Sequence, residues 1–306
     1  MNAIHARLME WSALRPPAGA GGDWFDADAY LGKRGHKYQT RGTKLWLSAC
    51  GTLAGLAGRA PQASLGIALG TNFGAHLALH ELESVIEEHG AATLSPSYAP
   101  NFCVNLIASH AGIRYAGQRF NLTVTTPQVA GLDALAAAAR ELGLARCDLA
   151  VAGGAEEPAI VRDGAPAPAQ AEGAIAALLA RADCSAGGLA ILSGFAQLTL
   201  APAAWGDAGT AMRRLREAAQ RYGLGADLAR YRALVLASDE PALFPCLAQV
   251  LRELAPGAGA PREVSCPRGH GSLEPLAALR TCLEGARPAL FMYAGASGAV
   301  RLVGVE

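Results

Sequence analysis

Short apolar runs alternate with longer stretches in which apolar residues recur every three or four positions, and the alternation continues to the end of the chain. The runs "LGIALG" (65–70), "CDLAVAGG" (147–154), "RALVLAS" (232–238) and "PALFMYA" (288–294) are too short for buried helices and predict buried strands. Further strands are expected at 4–11, 121–126, 262–266 and 298–306. "EGAIAALLARA" and "GGLAILSGFAQLTLA" read as two strands of an antiparallel hairpin turning around 183–188. Helical periodicity predicts helices over 40–56, 72–88, 99–115, 210–222, 241–254 and 272–284, while 163–171 is a low-complexity loop. Strands alternating with helices imply a layered α/β fold. The scheme occurs twice, once over 1–200 and again, shortened, over 201–306, so the pattern predicts an internally duplicated fold in one compact unit.

One junction stands apart. In "NLTVTTPQVAGLDALAAAARELG" (121–143) a β-rich run breaks at Pro127 and resumes at once as an alanine-rich helix carrying Leu132, Leu135 and Leu142. A sharp strand-to-helix elbow lifts one side chain clear of a sheet, which is where many α/β enzymes hold a nucleophile. Here the elbow offers Gln128, and an amide is not a nucleophile.

Composition narrows the classes. Apolar residues make up 51% of the 306 residues and charged ones only 17%, which favours a folded protein with a large partner interface. Lys plus Arg equals Asp plus Glu at 26 each, so no net field attracts nucleic acid or an anionic membrane. The seven cysteines are scattered, without a C-x-x-C pair, as expected of reduced thiols rather than of disulfides or a zinc site. No apolar run nears the ~20 residues of a membrane helix, and the N-terminus does not read as a signal peptide, so a cytoplasmic location is expected. Gly70 and Gly74 match no phosphate-binding spacing, and His76, His80, Glu83 and Glu87 share a helical face without the H-E-x-x-H order. No cofactor and no metal are expected.

Several strings together resemble one family, the β-ketoacyl synthases of the thiolase superfamily: "GIALGTNFG" (66–74), "SPSYAPNFCVNLIASHAGIRYAGQRFNLTVTT" (95–126), "DLAVAGGAEEP" (148–158), "EGAIAALL" (172–179) and "RGHGSLEPLAAL" (268–279). The resemblance covers nearly the whole chain, densest from 65 to 180, and implies a thiolase-like fold of αβαβα layers. It also aligns the catalytic cysteine of that family with Gln128. The segment matching the first catalytic histidine, "LVLASDEPALF" (234–244), has no histidine; the usual lysine falls near Ser265, and "YAGASG" (293–298) stands for the glycine-rich gating loop. His270 matches the second histidine and reads as a remnant making a core hydrogen bond.

Condensation needs a thiolate to hold the acyl chain and donors to stabilise the developing enolate, and losing one such donor costs on the order of 100- to 1000-fold. The resemblance therefore implies no catalytic residues here. It points to a chain length factor, the degenerate subunit that forms an obligate heterodimer with a catalytic ketosynthase and meets acyl carrier protein through that complex. The strand at 121–126 would then pair antiparallel with its counterpart across the dimer, in an interface above ~2,000 Å². By the same resemblance the tunnel and interface candidates are Phe73, His76, Leu77, His80, Phe102, Asn121, Thr123, Thr125 and Pro127. Two alternatives stay open: a decarboxylase of malonyl carrier protein that uses Gln128, and a homodimeric module that binds acyl groups. Gln128 as a plain helix-start residue is the structural alternative.

Overall fold

The computed structural model describes residues 5–20, 24–59, 64–158, 172–185, 187–200, 208–222, 224, 228–267 and 270–306. The loop expected at 163–171 lies outside these residues. In chain order the first elements are β1 (His5–Leu14), α1 (Ala27–Leu31), α2 (Arg41–Gly51), α3 (Ala54–Arg59), β2 (Leu65–Gly70) and α4 (His76–His89). There follow α5 (Leu106–Arg114), β3 (Asn121–Val124), α6 (Ala130–Gly143), β4 (Leu149–Glu156) and β5 (Gly173–Arg181). The remainder is β6 (Ala190–Thr199), α7 (Ala208–Arg221), β7 (Ala233–Ser238), α8 (Phe244–Leu254), β8 (Arg262–Ser265), α9 (Leu273–Glu284), β9 (Ala289–Ala294) and β10 (Ala299–Val305).

The strands join in the order β3-β2-β4-β5-β1-β6-β10-β9-β7-β8. Read outward from the β1–β6 seam, both sides follow one scheme: β1, β5, β4, β2, β3 on one and β6, β10, β9, β7, β8 on the other. The senses agree too, since β2 is parallel to β3 and β4 as β7 is to β8 and β9, and the remaining pairs are antiparallel. The duplication seen in the pattern of the sequence is therefore a duplication of topology. By this correspondence the halves meet between Arg181 and Ala190.

The hairpin expected from 172–200 does not form. β1 lies between β5 and β6, with Leu8 opposite Leu179 on one side and Ala190 on the other. The two strands are neighbours in sequence, yet the first strand of the chain satisfies the facing edges of both. Local chain breaks also move helix starts. Pro100 confines Pro96–Phe102 to 3-10 turns, so the helix expected from 99 begins at Leu106. Thr40 caps α2, its hydroxyl accepting from the Thr43 N–H at 3.2 Å.

Three apolar clusters stack through the molecule. The outer ones pack α2 and α5 against β2 and β5, and α7 and α8 against β7, β9 and β10. Between the halves lie α6 and α9, with β1, β4, β6, β7 and β9 around them. These are the five layers of an αβαβα arrangement. α6 suits its central place because nine of its fourteen residues are buried, five of them alanines, and a helix apolar nearly all round belongs inside.

One ion pair is set into this middle layer. Asp133, in the first turn of α6, takes a two-point contact from Arg301 of β10 at 2.5 and 2.9 Å, and Gln197 of β6 donates to it at 2.9 Å. Removing one member leaves the other charged and desolvated, which costs roughly 3–5 kcal/mol, whereas replacing both by apolar residues is far milder. Asp133→Ala is expected to lower the urea midpoint sharply, and Asp133→Leu combined with Arg301→Met to recover most of the loss. Equal loss in the single and double variants would contradict this reading.

Candidate functional site

β3 ends at Val124 and α6 begins at Ala130, so five residues turn the chain from strand to helix. Within this elbow Gln128 has φ 63°, the left-handed region that a residue with a Cβ enters at a cost of roughly 1–2 kcal/mol. The neighbouring loop enforces that conformation. Asn72, just after β2, donates from Nδ2 to the carbonyls of Thr125 (3.3 Å) and Thr126 (3.2 Å), and its Oδ1 accepts the Gln128 N–H at 2.9 Å. On the side-chain end, the Tyr293 hydroxyl of β9 donates to Gln128 Oε1 at 3.0 Å. The glutamine is thus fixed at backbone and side chain by both halves of the fold.

Asn72 is in turn held by Glu156, the last residue of β4, which is completely buried. Its carboxylate accepts the N–H groups of Asn72 (2.9 Å) and Phe73 (2.7 Å), the Thr71 hydroxyl (3.2 Å), and both the N–H and hydroxyl of Ser272 (2.7 Å each). Burial pushes this carboxyl up, against the opposing pull of its donors. Ser272 opens α9, and Gly271 before it has φ 60°. Gly271 stands two residues ahead of its helix, as Gln128 does ahead of α6, so the two halves bring matching elbows face to face. A Cβ at 271 would lie 2.5 Å from the Glu156 carboxyl carbon, so only glycine allows this approach.

The next residue, Glu157, works outward. Its two oxygens accept the N–H of Gly42 at the start of α2 (2.8 Å) and of Leu77 at the start of α4 (3.1 Å). Burial raises its pKa to about 7, with Glu81 adding to the rise. Glu156 and Glu157 escaped the reading of the sequence as a site. The available signal was two adjacent carboxylates ending an otherwise apolar strand, since buried charge requires partners.

His270 is mostly buried; its Nδ1 has no hydrogen-bond partner and lies 3.5 Å from Glu274 Oε1, which pairs with Arg15. Among the described residues it does not make the core hydrogen bond that was expected of it. Nearby, burial and the charges of Glu274 and Asp239 push the Cys266 thiol up to about 12, far from a reactive thiolate.

The other candidates fall into two groups. Phe73 and His76 meet edge to face at 5.0 Å, and Leu77 is half-buried beside them, while His80 is exposed one turn on. α4 buries only Ala78 fully, and its apolar stripe of Leu77, Leu82, Val85 and Ile86 is only partly covered by the described residues, Ile86 being exposed. An apolar cleft of about 460 Å³ opens beside it, lined by His80, Leu82, Val85 and Leu94 among others. Asn121 and Thr123 lie on β3, which among the described residues is paired on one side only, and Thr125 and Pro127 are exposed on the elbow. Phe102 is exposed at the end of its 3-10 turn, apart from Gln128. Among the described residues no group of three or more His, Cys, Asp or Glu could hold a metal, and no helix is long and apolar enough to cross a membrane.

Comparison with known proteins agrees with this architecture. Residues 41–169 match the N-terminal domain of β-ketoacyl synthases. The 3-oxoacyl-[acyl-carrier-protein] synthase 2 of Rhizobium meliloti is 30% identical over 97 residues, 32% of this chain and 23% of that relative. The enzyme of the same name from Vibrio cholerae is 30% identical over 95 residues, again 23% of its length. Among solved structures, the ishigamide ketosynthase/chain length factor superposes with a TM-score of 0.71 at 21% identity, covering 98% of both chains. A chain of AntDE:AntF, a type II polyketide synthase acyl carrier protein in complex with its ketosynthase bound to the hexaketide, gives 0.74 at 14% identity over 100% of this chain and 99% of that one. The fold is the one these ketosynthase structures share, and residues 41–169 are similar to the N-terminal domain of β-ketoacyl synthases. Within that fold the chain carries glutamine, strained and doubly anchored, at its elbow.

Glu157 sets a pH dependence of stability. Its folded pKa near 7 lies above the unfolded value, so its contribution is fully present below about pH 4.3 and is lost as pH rises through 7, a fall on the order of 3 kcal/mol. Glu157→Gln offers one acceptor oxygen in place of two and is expected to be less stable at pH 5. Its urea midpoint should nevertheless change less between pH 5 and pH 8 than that of the parent, the remaining slope reflecting Glu156. Parallel slopes would contradict the assignment.

Proposed function

We propose that this chain is a non-condensing subunit of the chain length factor kind, which heterodimerises with a catalytic ketosynthase and shapes its acyl tunnel. The observation that carries the reading is the elbow. Its costly left-handed turn is kept, and its anchors are kept, while the side chain it presents cannot form a thioester. A fold that preserves the geometry without the nucleophile serves the geometry.

The surface supports a partner at that place. Of ten exposed large hydrophobic side chains among the described residues, six lie between 79 and 122: Leu79, Ile86, Phe102, Val104, Ile113 and Leu122. Ile113 is 80% exposed and Leu122 40%, on the helix and edge strand that end the sheet. An unpaired edge with apolar flanks is a template for another strand. Phe73, His76, Leu77 and His80 at the head of α4 would then face the shared tunnel. A second surface suits an acidic carrier protein: residues 33–44 hold all three lysines of the chain, with Arg34 and Arg41, and no acid.

One observation favours the decarboxylase reading. The Gln128 amide nitrogen has no hydrogen-bond partner among the described residues, so it could donate to a thioester oxygen. That reading predicts release of carbon dioxide from malonyl carrier protein by this chain alone, lost in Gln128→Ala.

Reconstituted condensation separates the readings. The chain alone is expected to form neither product nor carbon dioxide, and to support elongation when co-produced with a catalytic ketosynthase. Phe73→Ala in the complex should lengthen the product, and Leu122→Lys should abolish co-purification. Carbon dioxide release by the isolated chain, or unchanged product length together with unchanged co-purification, would sink the proposal.

A further inference from the structure

Tyr293 belongs to "MYAGASG", the string in place of the ketosynthase glycine-rich loop. It is only 1% exposed, and its backbone is held from both sides, opposite Ala237 of β7 and Arg301 of β10. From this fixed position the hydroxyl reaches the side chain of residue 128 at 3.0 Å. Gly295 makes the room: a Cβ there would stand 3.0 Å from the Tyr293 oxygen and 3.2 Å from Asp239 Oδ1.

The backbone that carries Tyr293 is held in place. Where a long loop could swing aside, residues 295–298 form a tight turn, with the Gly298 N–H on the Gly295 carbonyl (2.8 Å) and the Gly295 N–H on the Ala299 carbonyl (2.9 Å). The facing strand residue, Arg301, is pinned to Asp133 in the first turn of α6, the helix that the elbow opens. Shifting the Tyr293 backbone would break two ladders or that buried ion pair, and turning the side chain alone gives up its hydrogen bond to Gln128.

We infer that Tyr293 is a fixed plug of the elbow pocket, so that this chain is closed to an acyl thioester by shape as well as by the absence of a thiol. Attack on a thioester requires its carbonyl carbon within roughly 3–3.5 Å of the nucleophile along an open approach. The tyrosine side chain, ring and hydroxyl together, stands across that approach, its tip within hydrogen-bond distance of residue 128. A cysteine restored at position 128 therefore stays sheltered until Tyr293 is reduced in size. The inference concerns this chain alone and holds whether or not a ketosynthase binds it, so it fails or stands separately from the proposed function.

The test is iodoacetamide labelling of the full chain carrying Gln128→Cys, followed residue by residue with peptide mass spectrometry. Exposed Cys103 serves as the fast reference and buried Cys50 as the slow one. Cys at 128 should label at least ~10-fold more slowly than Cys103, because thiol reactivity follows access and thiolate character. Adding Tyr293→Phe, which keeps the ring, should leave it slow. Adding Tyr293→Ala or Tyr293→Leu should bring it within about threefold of Cys103. Melting curves check that each variant is folded. Fast labelling with Tyr293 intact overturns the inference whatever the fate of the other variants. So does slow labelling in a folded Ala or Leu variant.

Discussion

The buried carboxylate of Glu156 is the constraint on which the rest of the site depends. It stands where the two halves of a duplicated fold bring their elbows together, and it accepts from the loop after β2 on one side and the start of α9 on the other. A charge in such a place is costly unless every lone pair is used, and here five donors converge on it. Asn72 inherits its position from this contact and passes it to Gln128. The strain at Gln128 is thus sustained by a network two residues deep rather than by the glutamine itself.

On the proposed reading, this network is what lets an elbow outlive its chemistry. The positive φ, the Asn72 bridge, and Glu156 with Ser272 and Gly271 all act through the backbone or through residues other than 128. Exchange of the elbow side chain leaves them intact. What the elbow still does is carry β3 to the edge of the sheet and set the first turn of α6, which the Asp133–Arg301 pair ties to the second half. Shape is retained where an interface would need it, and Tyr293 occupies the space that acyl chemistry would need.

Much of this was legible in the sequence, because strand and helix periods are local. The elbow was visible as a strand broken at Pro127, and the resemblance identified Gln128 as its occupant. The failures came from contacts distant in sequence. β1 intervenes between β5 and β6, and nothing in residues 172–200 signals that the first strand will claim the edge each offers. Tyr293 lies 165 positions from Gln128, and Glu156 lies 116 from Ser272. His270 carried the expectation of a motif, yet among the described residues its Nδ1 has no hydrogen-bond partner and lies 3.5 Å from Glu274 Oε1.

On the proposed reading, in which the chain keeps an interface without its own condensation chemistry, it should be incomplete by itself. Native mass spectrometry of the chain co-produced with a catalytic ketosynthase asks this directly, since the intact mass reports stoichiometry and any covalent acyl group together. The account predicts a one-to-one complex in which, after incubation with acyl carrier protein, the acyl adduct sits on the ketosynthase and never on this chain. A stable monomer or homodimer that does not associate, or an acyl adduct on this chain, would contradict it.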